Sequence, residues 1–88
     1  MPTVAMVHGI AIRFYYDDHD PPHFHAKTTE FEAKISLETM SIMEVSGRMR
    51  PRDISLVLQW ARQNHAVLLQ MWQAARRKDI LAKLDSIP

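Results

Sequence analysis

Apolar and polar residues alternate most clearly along Phe31–Leu37. The odd-numbered positions in this segment are apolar, and the even-numbered positions, Glu32, Lys34 and Ser36, are polar. Successive side chains of a strand point to opposite faces, so a period of two predicts a half-buried strand with a hydrated outer face. The turn that follows is predicted over Glu38–Ser41.

Four further segments favour an extended backbone. Thr3–His8 is mainly apolar, Ile10–Tyr16 is rich in β-branched and aromatic residues, and Ile42–Ser46 is a short last candidate. The even-numbered residues of the second segment share one face. Asp17–Pro22 must be a loop, because its prolines lack the N–H that a helix or a central strand needs. His23–Lys27 can resume an extended path after it.

Helical spacing of apolar residues begins after Pro51, a residue suited to the first position of a helix. The helix is predicted to run to about Arg77, with a possible break near Asn64. Its periodic positions are Ile54, Val57, Leu58, Ala61, His65, Leu68, Trp72 and Ala75. The chain is therefore predicted to be one α+β domain over residues 1–88, in which a small antiparallel sheet of three to four N-terminal strands packs on one long C-terminal helix.

A second apolar stripe widens the buried arc of this helix. Its members are Leu56, Trp60, Val67 and Met71. One small sheet face does not cover so wide an arc. The apolar residues of Asp79–Pro88 (Ile80, Leu81, Leu84 and Ile87) could fold back over the stripe, or a partner chain could cover it, for example in a homodimer.

Composition excludes several classes of protein. The chain has 47% hydrophobic and 24% charged residues, so extensive disorder is not indicated. The formal net charge of +1 means that nucleic-acid binding would need a local patch. Cysteine is absent, which excludes disulfides and thiolate ligands. No signal-peptide pattern is present, and no apolar run approaches the roughly 18 residues of a membrane span. The prediction is a cytoplasmic protein without a membrane partner.

The densest chemistry lies between Asp17 and His25. Three of the five histidines, His19, His23 and His25, fall there among three aspartates. If the backbone is extended after Pro22, the last two imidazoles project to one side.

Three interpretations of this segment remain open. The histidines could act as general acid and base in a metal-free ribonuclease, with His23, His25 and Arg13 as the chemical types required and His19 nearby. Alternatively, His19, His23 and His25 could bind a divalent metal with a nearby carboxylate. The third interpretation is a structural turn, in which the side chains cap backbone groups and no cofactor is bound.

Arginines alternate at the start of the predicted helix, at Arg48, Arg50 and Arg52. Cations are unfavourable at the positive end of a helix dipole, so a phosphate or an acidic partner could compensate them. Alternatively, the side chains extend into water and Asp53 offsets the dipole. Tyr15, Tyr16 and Phe24 beside the histidine loop could stack on RNA bases, or they could fill the core.

The segment Ile12–Ala26, IRFYYDDHDPPHFHA, carries a resemblance to a known family. It resembles a family of small bacterial proteins, Domain of Unknown Function 4160, whose members share the D-H-x-P-P-H-F-H-A motif, here Asp18–Ala26. The likeness extends from Pro2 to about Arg77. It includes an E-A-x-I strand (Glu32–Ile35) and a helix with L-V-L-x-W-A (Leu56–Ala61). The chain departs from the family at Thr39-Met40, where glycine is usual, and at Arg50, where leucine is usual.

The resemblance implies a role without assigning catalytic residues. Genes of the family often lie beside another small gene, and the pair has been proposed to form a toxin–antitoxin module. By this resemblance the chain is expected to be the toxin-like member, with the neighbouring gene's product as antitoxin partner and RNA as a possible target. The alternative function is a non-catalytic protein-interaction or metal-binding module.

Overall fold

The computed structural model describes residues 3–16, 18–78, 81, 84, 86 and 87. Within these residues, five strands in chain order form one antiparallel sheet, and each strand pairs with the next along the chain. The strands are β1 (Thr3–Val7), β2 (Ile10–Arg13), β3 (His23–Lys27), β4 (Phe31–Ser36) and β5 (Ile42–Gly47).

One face of the sheet packs against the helical part of the chain, and the other face is polar. Phe24 pairs with Ile35 and Ala26 with Ala33 across the β3–β4 ladder, and all four are buried. The helical residues buried against this face are Val57, Trp60, Ala61, Leu68, Met71, Trp72 and Ala75. The alternation of Phe31–Leu37 is thereby confirmed for its apolar positions and for positions 32 and 34, which are partly exposed, whereas Ser36 is buried.

The α+β class and the antiparallel sheet are confirmed, but the prediction of three to four strands is wrong. The sheet has five, because His23–Lys27 is a full central strand. Its first four residues are all buried, so burial on both faces removes the alternation that marks a half-buried strand. β2 is shorter than predicted and ends at Arg13. Tyr16 lies beyond it and is 40% exposed.

The prediction of a single long helix is also wrong. Two helices are present in the described part of the chain, α1 (Pro51–Gln63) and α2 (His65–Arg76), and they are separated at Asn64. The backbone of Asn64 has φ −118° and ψ 19°, and its side-chain amide donates a hydrogen bond to the carbonyl oxygen of Trp60 at 2.9 Å. Asparagine side chains compete with the helical backbone for such bonds, which explains the break. Neither helix is long and apolar enough to cross a bilayer.

The described C-terminal residues lie along β1, on the side that does not pair with β2. Leu84 donates its backbone N–H to Val4 at 2.7 Å, and Ile87 donates to Met6 at 2.8 Å. Ile87 also borders the same surface cavity as Leu56 and Trp60 of the second apolar stripe. The expected return toward the second apolar stripe is therefore observed for Ile87, whereas Leu84 lies along β1 and Ile80 lies outside the described residues.

Replacing Ile35 by alanine is expected to lower the free energy of unfolding by about 2–5 kcal/mol, because Ile35 is fully buried between sheet and helices. Lys34→Ala, on the opposite face of the same strand, should cost less than about 1 kcal/mol, because its ion pair with Glu44 is exposed. Urea denaturation followed by circular dichroism measures both. Equal losses for the two variants would contradict the assignment of the faces.

Candidate functional site

The site forms where the loop after β2 returns to the sheet and enters β3. The loop brings the carboxylate of Asp18 against two imidazoles of that strand. Asp18 Oδ2 lies 2.9 Å from His23 Nε2 and 3.0 Å from His25 Nε2. Both histidines are only 4% exposed, and the Asp18 side chain is 18% exposed.

The period of the strand explains why the two histidines converge. His23 and His25 are two residues apart and lie on one face, whereas Phe24 between them enters the core. Tyr15 stacks edge-on against His25, with ring centroids 4.2 Å apart. The ring of His23 lies 5.1 Å from the ring of Trp72 on α2. Packing therefore restricts both imidazoles before any ligand is considered.

The hydrogen bond at Nδ1 of His23 determines which ring nitrogen carries the proton in the neutral side chain. His23 Nδ1 lies 2.8 Å from the carbonyl oxygen of Pro21. A carbonyl oxygen only accepts, so Nδ1 must carry the proton in the neutral ring. Nε2 is then a bare lone pair that faces Asp18 Oδ2, and this buried nitrogen makes no hydrogen bond of acceptable geometry. Two lone pairs at this distance repel each other unless a proton or another cation lies between them.

His25 presents the same problem on its other side. Its Nε2 donates to Asp18 Oδ2 at 3.0 Å, which leaves Nδ1 without a proton in the neutral ring. Nδ1 is buried, has no hydrogen-bond partner and lies 3.6 Å from Glu32 Oε2. The phenol of Tyr15 donates to this same oxygen at 2.9 Å. The cluster of Asp18, His23, His25 and Glu32 therefore contains more lone pairs that need a hydrogen-bond donor than it has protons to supply.

The pKa values follow from burial and from these contacts. Burial lowers the pKa of His25, and the neighbouring His23 adds to this effect against the opposing influence of the two carboxylates. Burial alone would raise the pKa of Asp18. Hydrogen bonds from His25 and from the backbone N–H of His19 nevertheless bring this pKa below its usual value. An ionised carboxylate beside a neutral imidazole attracts a cation.

The donor atoms are close enough together to hold a metal ion. One ligand atom each from Asp18, His23 and His25 lies within 4.8 Å of the others. Two donors bound to one zinc ion at about 2.0–2.1 Å each are roughly 3.4 Å apart in a tetrahedral arrangement. These three residues are the ones in the described part of the chain that could hold a metal ion together.

The loop that carries Asp18 is held to α2 by a second set of contacts. Arg76 Nη1 lies 2.9 Å from Asp20 Oδ1, and its guanidinium is 5.8 Å from the centre of the Trp72 ring. Because Trp72 also packs on His23, one helix end positions both the loop and an imidazole of the site.

The remaining predicted residues of the histidine segment are placed differently. His19 is exposed, and the group of converging donor atoms does not include it among the described residues. Arg13 is the direct neighbour of His25 across the β2–β3 ladder, and its Nε donates to Thr3 Oγ1 at 3.1 Å. Asp17 lies outside the described residues.

The three arginines of the helix start are not brought to the histidines. Arg48 donates its backbone N–H to Glu30, and Arg50 forms an exposed ion pair with Glu30 at 3.8 Å. Glu30 follows the far end of β3, so about 16 Å of strand separates this region from His23. Arg52 is exposed near the start of α1. Phosphate binding by these arginines stays a prediction for a separate surface.

Sequence reasoning did not single out two carboxylates and a phenol of the site. Asp18 was one of several aspartates in the loop, Glu32 was only a polar position of β4, and Tyr15 was only a stacking residue. The alternation of β4 did place Glu32 on the polar face. Its approach to His25 depends on the register, in which Glu32 pairs with Lys27 and is diagonal to His25.

A depression of about 210 Å³ opens beside His25 on the polar face of the sheet. Its lining residues are His25, Glu32, Lys34, Glu44 and Ser46. The depression gives solvent and small molecules a route to the Glu32 side of an otherwise buried cluster.

Comparison with known proteins assigns the chain to a family. The profile of the family described as "Domain of unknown function (DUF4160)" matches residues 9–73, which include the whole histidine loop, β3 and most of both helices. The chain therefore belongs to this family. Neither curated proteins nor solved structures give a match.

The hydrogen bond to Pro21 makes a spectroscopic prediction. At about pH 8, where histidine side chains are neutral, His23 should be found as the Nδ1–H tautomer in the metal-free protein. Long-range ¹H–¹⁵N NMR correlations of the imidazole rings distinguish the two tautomers directly. Detection of the Nε2–H tautomer would contradict the lone-pair arrangement described above.

Proposed function

We propose that this protein binds a divalent transition-metal ion through His23, His25 and Asp18. One observation carries the proposal: two buried imidazole nitrogens converge on a single carboxylate oxygen at 2.9 and 3.0 Å. At least one of these nitrogens lacks a proton to offer in the neutral state. A metal ion at this point would replace the repulsion between lone pairs by three coordinate bonds.

The surroundings of the two histidines support the same proposal. Histidines that bind metal through one ring nitrogen almost always direct the other toward a carbonyl or carboxylate oxygen. His23 directs Nδ1 to the Pro21 carbonyl, and His25 directs Nδ1 toward Glu32. With a metal on Nε2, the proton of His25 would move to Nδ1 and Glu32 would accept it. Tyr15 would hold the Glu32 carboxylate in place for that role.

The donor set limits the identity of the ion. Two imidazoles and one carboxylate suit zinc, nickel or ferrous iron, and soft ions that require thiolates are disfavoured because the chain has no cysteine. Three protein ligands leave at least one coordination position for water or another small ligand. The function supported best is therefore a metal-binding module with an open coordination position.

Zinc titrated into chelator-treated protein should bind with a stoichiometry of one, as measured by isothermal calorimetry. Asp18→Asn, His23→Ala and His25→Ala should each weaken binding by at least about 100-fold, because the first removes the charge of the carboxylate ligand and the other two each remove a ligand. Glu32→Gln should weaken it by roughly tenfold, because it removes only the oxygen that orients His25. Affinity should also fall as the pH drops through the histidine range, because protons compete for Nε2.

His19→Ala is the matched control, since it removes an exposed histidine of the same loop. Its zinc affinity should equal that of the wild type. Unchanged affinity in a folded His23→Ala/His25→Ala double variant would place any bound metal elsewhere and refute this centre. A loss in His19→Ala as large as in His23→Ala would refute the three-residue ligand set.

A second candidate is the toxin-like role suggested by the family resemblance, with RNA as target. The observation that favours it is the polar face around His25. Arg13 and Lys34 are the direct ladder neighbours of His25 on either side, and Tyr15 stacks on its ring. Cations and an aromatic ring beside an imidazole suit the binding of a phosphodiester and proton transfer at it. The depression next to Glu32 supplies access.

A growth assay tests this second candidate. Expression without the product of the neighbouring gene should slow bacterial growth, and His25→Ala should relieve the effect by removing a group worth about 10²–10⁴ in rate. His8→Asn is the control, because His8 is an exposed histidine at the end of β1 and asparagine tolerates its positive φ of 51°. Circular dichroism checks that each variant is folded.

Harmless expression of the wild type would contradict the toxin role and leave the metal centre standing. Full toxicity in folded His25→Ala would refute the participation of this histidine in the toxic activity.

A further inference from the structure

The two edges of the sheet differ in how their backbone groups are covered. At the β1 edge, Leu84 and Ile87 supply main-chain hydrogen bonds, and His8 donates to Ile87 at 2.8 Å. At the other edge, β5 pairs with β4 alone among the described residues. An uncovered strand edge presents a row of unpaired N–H and C=O groups that can accept another strand.

β5 also carries exposed apolar side chains. Met43 is 42% exposed and Val45 is 47% exposed, and they are two of the four large hydrophobic residues exposed in the described part of the chain. Val45 lies opposite the buried Ala33 in the β4–β5 ladder, so it points to the helix side of the sheet. The helices do not reach far enough to cover it. An open edge and an apolar strip therefore coincide on one strand.

From this coincidence we infer that β5 pairs with β5 of a second copy of this chain. The pairing is antiparallel, and a two-fold axis perpendicular to the sheet joins the two sheets into one of ten strands. Such an axis keeps the helices of both copies on the same side. Val45 of each copy then lies on the helix side of the joined sheet, at the junction of the two strands instead of at an open edge.

The charged residues on and next to β5 determine which positions of the two strands lie opposite each other. If Ser46 lies opposite Ser46 of the second copy, Glu44 lies level with Arg48, the residue that follows the end of β5 at Gly47, and symmetry forms that contact twice. If the strands shift so that Glu44 lies opposite Glu44, like charges meet and destabilise the pairing. Both Glu44 and Arg48 are exposed and accessible to a partner. The irregularity of the β4–β5 ladder falls between Glu44 and Ile42, at the opposite end of β5 from Arg48.

The inferred dimer would enlarge the surface beside the histidine cluster. Glu44 and Ser46 belong to β5 and line the depression next to His25. Across the two-fold axis, the depressions of the two copies would become neighbours on one continuous polar face. The pairing itself is independent of the metal proposal, because it uses no ligand residue.

Sedimentation-velocity measurements over a range of concentrations test the dimer. Two short strands bury a small area, so the dissociation constant should lie in roughly the micromolar range, as for other small interfaces. Val45→Lys should weaken association at least about tenfold, because it places a charge at the strand junction. Met6→Lys is the matched control, since Met6 is a similarly exposed apolar residue, at 40%, on the opposite edge strand.

A charge exchange tests the register. Glu44→Arg and Arg48→Glu should each weaken association, because each places like charges opposite one another. The double variant should restore most of the wild-type affinity. Amide hydrogen exchange should show protection along β5 that increases with protein concentration.

A strict monomer at hundreds of micromolar would overturn the inference. So would a dimer that Val45→Lys leaves intact, because such a dimer must use another surface, for example the helix stripe at Val67. A dimer in which the charge-exchange double variant is as weak as the single variants would overturn the register.

Discussion

The arrangement of the candidate site depends on the contact of one carboxylate with two imidazoles. Asp18 Oδ2 lies within 3.0 Å of Nε2 of both His23 and His25, in a site where both rings are almost fully buried. Burying an ionised carboxylate is costly unless charge or hydrogen bonds compensate it. Only the contact with His25 is a hydrogen bond, because His23 carries its ring proton on Nδ1, which donates to the carbonyl oxygen of Pro21. This arrangement is thus electrostatically incomplete, and the proposed metal ion would complete it.

Other parts of the fold hold Asp18, His23 and His25 in position. The strand period puts the two histidines on one face, and Phe24 between them anchors β3 in the core. Trp72 of α2 packs on His23, and Arg76 of the same helix holds the loop through Asp20. On the far side, Tyr15 and Glu32 fix the environment of His25. Helix, loop and two strands therefore all contribute to the position of a few donor atoms.

Sequence reasoning predicted what depends on local pattern. The alternation of β4, the prolines of the loop and the helical spacing after Pro51 are each visible in a single stretch of chain. The number of strands was missed because β3 is buried on both faces and loses its alternation. The break at Asn64 was foreseen only as a possibility, because one side-chain hydrogen bond decides it. The approach of the Glu32 side chain to His25 depends on the register between β3 and β4, and that register cannot be predicted from either strand alone.

The identity of the atoms around a bound ion is the most direct test of the metal centre. X-ray absorption spectroscopy on the zinc-loaded protein measures the number and type of its ligands. The structure predicts two imidazoles and one carboxylate at about 2.0–2.1 Å, with the remaining position filled by water or a small oxygen ligand. A spectrum without imidazole scattering, or one unchanged when Asp18 and both histidines of β3 are replaced, would contradict the account.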